Sequence, residues 1–76
     1  MHEPKKLSEQ KQHDLLARLR SADELVRVQA AIRLTGSGVD AAVVRPGLEA
    51  ALTEPDAHVR RLVGWVLAHL SQRAAA

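Results

Sequence analysis

"DELVRVQAAIRL", Asp23 to Leu34, and "DAHVRRLVGWVLAHL", Asp56 to Leu70, are the two stretches whose comparison decides the fold of this chain. In the first, Val26, Ala30 and Leu34 recur at helical intervals with Ala31 beside them, the mark of one apolar helix face. Moved along by 33 residues, it falls on the second: Asp23 on Asp56, Val26 on Val59, Arg27 on Arg60 and Leu34 on Leu67. The match continues upstream without a gap, Leu15 on Leu48, Ala17 on Ala50 and Leu19 on Leu52. Any two amphipathic helices share leucines, but Asp, Val and Arg recurring together mark an internal repeat.

Working outward, a first helix is expected from about Ser8, a side chain suited to an N-cap, to Arg20, with Leu15, Leu16 and Leu19 as its apolar stripe. The second starts near "SADE", where Ser21 and Glu24 have capping-box spacing and Asp23 is an alternative cap. "GSG" at Gly36 to Gly38 ends it, since glycine supplies the left-handed conformation that helix termini favour. The third carries Val39, Val43, Val44, Leu48, Ala51 and Leu52 on one face. Pro46 interrupts that pattern and costs about 3 kcal/mol or more inside a helix, so a short turn from Asp40, a bend and then the main helix are expected. The fourth runs from Asp56, after Pro55, to about Gln72 on a stripe of Val59, Val63, Val66, Leu67 and Leu70. Residues 1–7 are expected to be flexible and 73–76 frayed, leaving a domain over 8–72 that divides into units of about 8–38 and 39–72.

The repeated Asp, Val-Arg pair, small apolar residues and Leu resemble the second helix of HEAT-like repeats. "RPGLEAAL", Arg45 to Leu52, is similar to their Pro-x-Leu-x-x-x-Leu first helix, particularly in the short type named after phycobilisome lyases. The resemblance spans about Leu15 to Leu70; the first unit departs from it in lacking the helix-one Pro and in having Gln29 at a usually apolar or Ala position, as an N-terminal cap would. It implies an all-α fold: two stacked antiparallel helical hairpins forming a minimal HEAT-like α-solenoid. It also implies that Asp23, Arg27, Asp56 and Arg60 form structural ladders between repeats rather than catalytic sites. From the residues themselves, Asp23–Arg27 and Asp56–Arg60 are i,i+4 pairs, so each Arg is expected to be held by the Asp one turn earlier, with a second partner such as an Asp on the neighbouring hairpin. A bare cation so early in a helix opposes the macrodipole.

Beside the core stripe of the fourth helix lies a second row at i, i+4, i+7 and i+11: His58, Leu62, Trp65 and His69. The corresponding row of the second helix is Leu25, Gln29, Ile32 and Gly36, expected to face the second hairpin. In a stack each unit covers its neighbour's face, so the later row is expected to be uncovered and to bind a partner through Leu62 and Trp65, with His58, His69 and Arg61 at the rim. Trp is enriched at binding hot spots; the alternative is that this single Trp fills the small core.

Composition limits the remaining classes. At 76 residues the chain is near the lower size for independent folding, and it has no Cys for a disulfide or thiolate metal site, which fits a reducing, cytoplasmic setting. "MHEPKKLSEQ" holds no apolar run, and no stretch reaches the roughly 20 apolar residues that cross a bilayer. Eleven Lys and Arg against nine Asp and Glu give a net charge of only +2, spread along the chain. Of the four histidines, His58 and His69 are about 16 Å apart along one helix and cannot share a metal, while His2 and His13 lie in or near the N-terminal segment. Serines and threonines read as caps and loop residues, and "GSG" lacks the strand–helix context of a phosphate cradle. No enzyme, cofactor or metal site is expected. The function expected is protein–protein interaction, as an accessory subunit or adaptor on a larger assembly or by self-association. The alternative is nucleic-acid binding by a surface of Arg18, Arg20, Arg27, Arg33, Arg45, Arg60, Arg61 and Arg73.

Overall fold

Four side-chain caps set where the helices begin. In the computed structural model, which describes residues 6–75, Ser8 Oγ accepts from the Lys11 N–H at 3.1 Å ahead of α1 (Glu9–Arg18). Asp23 accepts from Leu25 N–H ahead of α2 (Glu24–Leu34), Asp40 from Ala42 N–H ahead of α3 (Ala41–Ala51), and Asp56 from His58 N–H ahead of α4 (Ala57–Ala75). Each such cap contributes about 1 kcal/mol by satisfying an N–H the helix leaves unpaired. Ser21 does not cap α2; its Oγ accepts from the Asp23 N–H and holds the capping residue in place. The described residues form no strand. The expected flexible stretch over residues 1–5, with His2, and the last residue Ala76 lie outside the described residues.

Two local expectations fail for identifiable reasons. No glycine among the described residues has a positive φ, so "GSG" does not end α2 by a left-handed cap. The chain turns instead through tight i→i+3 bonds, Thr35 N–H to Ile32 O, Gly36 N–H to Arg33 O and Val39 N–H to Gly36 O, with Thr35 Oγ1 also donating to Ile32 O. Pro46 does not delay α3, which runs as one element from Ala41. The carbonyl that loses its partner to Pro46 is that of Ala42, an exposed residue in the first turn, where water can reach it.

The short connections make α1–α2 and α3–α4 antiparallel hairpins. α1 packs on α2 and α3, α4 packs on α3 and α2, and the diagonal pairs do not touch. The hairpins lie side by side in the same orientation. Gln12, in the first turn of α1, bonds the Asp40 N–H at the start of α3, and Arg20, past the end of α1, pairs with Glu54 past the end of α3. Likewise Arg27 near the start of α2 bonds His58 near the start of α4, and Arg73 near the end of α4 donates to Gly36 O past the end of α2. Thus α1 and α3 form one layer and α2 and α4 the other. Arg73 is held within α4, which runs on to Ala75.

Between the layers is a wholly aliphatic core that includes Leu15, Leu19, Ala30, Ala31, Leu34, Val44, Leu48, Val59, Val63, Val66 and Leu70. Leu16 of α1 crosses α3 at Gly47, where a Cβ would stand 2.8 Å from Leu16 Cδ1; glycine permits that approach. Leu52, expected on the core face, is instead 44% exposed, whereas Leu19, its counterpart in the repeat, is 1% exposed. Leu19 borders a recess against Gly47 and Ala51 of α3, while no described helix lies beyond α3 to cover Leu52. Gly64, in the middle of α4, has open space where its Cβ would be. Gly64→Ala is therefore expected to raise the unfolding free energy by about 0.5–1 kcal/mol, read as a higher midpoint in a thermal melt.

Candidate interaction surface

The repeated Asp and Arg residues perform a shared structural task, and it is not an Asp–Arg ion pair. Among the described residues the one ion pair is Arg20–Glu54, at 3.2 Å. Asp23 and Asp56 spend their carboxylates on capping, and each Arg turns back to the loop before its helix. Arg27 Nη1 donates to Ser21 O at 2.7 Å; Arg60 Nη1 donates to Glu54 O at 2.6 Å and Pro55 O at 2.8 Å. Ser21 and Glu54 correspond in the repeat, so the device is the same in both hairpins. A loop carbonyl is a favourable target for a cation that the helix N-terminus itself disfavours.

The two arginines differ in their surroundings. Arg60 is exposed, whereas Arg27 is buried and its Nε donates across the hairpins to His58 Nδ1 at 3.1 Å. A guanidinium only donates, so His58 accepts through an unprotonated Nδ1. The second partner of Arg27 on the neighbouring hairpin is thus a histidine, not the Asp expected, because the Asp56 carboxylate is taken by the α4 cap. Asp56 stands close enough to feel both groups. Its carboxyl is held below the ordinary value of 3.8, first by the His58 N–H, against the opposing effect of desolvation, and then by the Val59 N–H and the charge of Arg27. A depressed folded-state pKa adds stability above the unfolded-state value, and that stability is lost as pH falls through the folded value. Asp56→Asn is accordingly expected to lower the melting temperature near pH 6, with the gap to the parent protein closing as acid titrates the carboxylate below about pH 3.9.

The row expected to bind a partner lies beside α2. His58 is half-buried on Arg27, Leu62 is half-buried against the core, and His69 is half-buried with its ring 4.4 Å from that of Trp65, tilted by 57°. His69 Nδ1 also lies 3.0 Å from Trp65 O. Trp65 and Arg61 are exposed. On α2 the corresponding row does not face the second hairpin. Leu25 is 63% and Ile32 55% exposed, more than any other large apolar residue described, Trp65 included at 42%. Gln29 is exposed as well. The face of α2 that meets α4 instead carries Arg27 and, one turn on, the buried Ala31. A self-alignment shows which positions correspond but not which way the units stack, and the row points back along the stack, not forward.

Since α2 and α4 run parallel and Ile32 corresponds to Trp65, the two side chains open from the same layer toward solvent. With Leu25 they give the α2/α4 layer three exposed large apolar residues. Gln12 was not anticipated at all. It is buried, its Nε2 donates to Leu7 O at 2.8 Å, and its Oε1 accepts from Asp40 N–H at 2.9 Å, joining the first turns of α1 and α3. Its spacing to Leu15, Leu16 and Leu19 places it on their stripe, the signal that could have found it. No family model, no curated protein and no solved structure matches the chain.

Proposed function

We propose that this chain is a non-catalytic protein-interaction module, a two-repeat HEAT-like solenoid serving as an accessory subunit or adaptor on a larger assembly. The observation that carries the reading is the exposure of Leu25, Ile32 and Trp65 on one layer of so small a domain. Exposed large apolar side chains on one layer are candidates for a contact surface, and Trp is among the residue types most enriched where binding energy concentrates. Arg61 and His69 lie beside Trp65 on α4 and would edge the contact, whereas Leu62 and His58 belong mainly to the joint between hairpins. Among the described residues no helix is long and apolar enough to cross a membrane, and the cysteine-free sequence suits a cytoplasmic setting. Four of the arginines that a nucleic-acid surface would need, Arg20, Arg27, Arg60 and Arg73, are engaged within the molecule.

The test is capture from the native host with the parent protein and with the double variant Ile32→Gln/Trp65→Gln. Burying each such side chain is worth about 1.5–3 kcal/mol, so the variant is expected to lose a partner's affinity about 100-fold or more while melting like the parent. A protein retained equally by both would sink the surface assignment. Duplex DNA bound tightly, with affinity falling about 10³-fold or more between 50 and 200 mM salt, would favour the nucleic-acid reading instead.

A further inference from the structure

The joint between the two hairpins shows what kind of partner suits the open face of the first. At that joint a helix pair covers the second hairpin: Leu16 lies over Gly47, Arg27 bonds His58, and Val44, Ala51 and Val66 are buried. Shifted back by 33 residues, these positions become Asp14, Leu25, Lys11, Arg18 and Arg33, and all five are exposed. Lys11, Asp14, Arg18 and Arg33 line an open groove with Leu7 and Leu15. A site that takes helices inside the molecule thus recurs at its open end with a different lining.

That lining is cationic. Among the described residues the side chains of Lys11, Arg18 and Arg33 make no hydrogen bond or ion pair, whereas Arg20, Arg27, Arg60 and Arg73 are all engaged. The one carboxylate of the groove, Asp14, accepts from Gln10 Nε2 at 3.1 Å. On α2, Leu25, Gln29 and Arg33 form one exposed i, i+4, i+8 ridge, with Ile32 beside it. Leu25 and Ile32 are the two most exposed large apolar side chains described, and they stand two turns, about 10 Å, apart. A second copy is the wrong occupant. Repeating the inner joint between copies would set Glu49, counterpart of Leu16, against Asp14, and Arg60, counterpart of Arg27, against Leu25. Carboxylates would meet at the first place, and a guanidinium would lose its water against a leucine at the second.

We infer that this face binds an acidic amphipathic helix of a different protein, its apolar stripe on Leu25 and Ile32 and its carboxylates on Lys11, Arg18 and Arg33. The inference deepens the interaction-module reading and rests on it. A helix fits because the same site of the second hairpin is filled by helices, and because apolar residues at i, i+3 and i+7 match the span from Leu25 to Ile32. Acidic residues on one flank of that stripe then face the groove, where the two guanidinium groups can take carboxylates in forked pairs. Since these charges are exposed, binding weakens with salt.

The probe is a synthetic helix of about 20 residues, long enough to hold its shape alone, with leucines at i, i+3 and i+7 flanked by glutamates. Its controls are a twin with lysine for every glutamate and a peptide of the same composition in scrambled order. Calorimetric titration of the full chain is expected to show the acidic helix bound at least tenfold more tightly than either control. Arg18→Glu/Arg33→Glu is expected to reverse the preference toward the lysine twin, and Leu25→Gln/Ile32→Gln to lose at least tenfold, both melting like the parent. An acidic helix that fails to bind at millimolar concentration, or binds no better than a control, would overturn the inference. So would duplex DNA bound more tightly than the peptide. The underlying reading fails separately, when Ile32→Gln/Trp65→Gln captures every host protein as the parent does. A host partner lost with that variant but kept by Arg18→Glu/Arg33→Glu would leave the module standing and overturn the acidic helix.

Discussion

Arg27→Ala is expected to lower the unfolding free energy by about 3–6 kcal/mol, since charge-assisted hydrogen bonds contribute about 1.5–3 kcal/mol each and the substitution removes two. Those are the bonds to Ser21 O and to His58 Nδ1. A chain of this size has roughly 4–11 kcal/mol in all, so the variant stands close to unfolding at room temperature. Arg60→Ala removes the corresponding loop clamp, yet that side chain is exposed and water replaces its contacts, so about 0.5–1 kcal/mol is expected. Paired urea melts of the two variants measure the difference. Equal losses would mean that the burial of Arg27 and its bond across the hairpins contribute nothing beyond the local clamp.

Gln12→Leu is expected to cost about 1–3 kcal/mol although it adds apolar character to a buried position. Leucine keeps the volume but withdraws a donor from Leu7 O and an acceptor from the Asp40 N–H, leaving both unpaired at the α1–α3 contact. Gln12→Glu separates the two roles. A carboxylate still accepts from Asp40 but cannot donate to Leu7 O and buries a charge, so this variant should be weak at neutral pH and regain stability in acid as the side chain protonates. Thermal melts of the three proteins across pH give the comparison. A Gln12→Leu protein as stable as the parent would show that water reaches both backbone groups.

What was legible in the sequence was local periodicity. The stripes of Val59, Val63, Val66 and Leu70 and of Ala30, Ala31 and Leu34 could be read because a helix turns side chains by a fixed angle, and all of them are buried. Of the caps, Ser8 was legible for the same reason, and Asp23 as the alternative to Ser21, since capping couples residues two or three apart, whereas at Asp40 and Asp56 only the start of an element was legible. Contacts between elements were not. That Arg27 passes over Asp23 for Ser21 O and a histidine 31 residues away depends on how two hairpins meet. The sense of stacking is a handedness that a list of matched positions does not contain, which is why Leu25 and Ile32 read as covered and prove exposed. Leu52 follows the same logic: its periodicity marks a core face, but burial also needs a neighbour, and among the described helices only its counterpart Leu19 has one.

The placement of Trp65 also determines what can be seen of this molecule by light. The chain has no Phe or Tyr, so this one indole dominates its near-ultraviolet absorbance and emission, and it stands at the surface against His69, outside the aliphatic core. Fluorescence will thus report on the His69 contact, its loss when α4 melts, and whatever comes to rest beside it, while backbone dichroism follows the helices themselves.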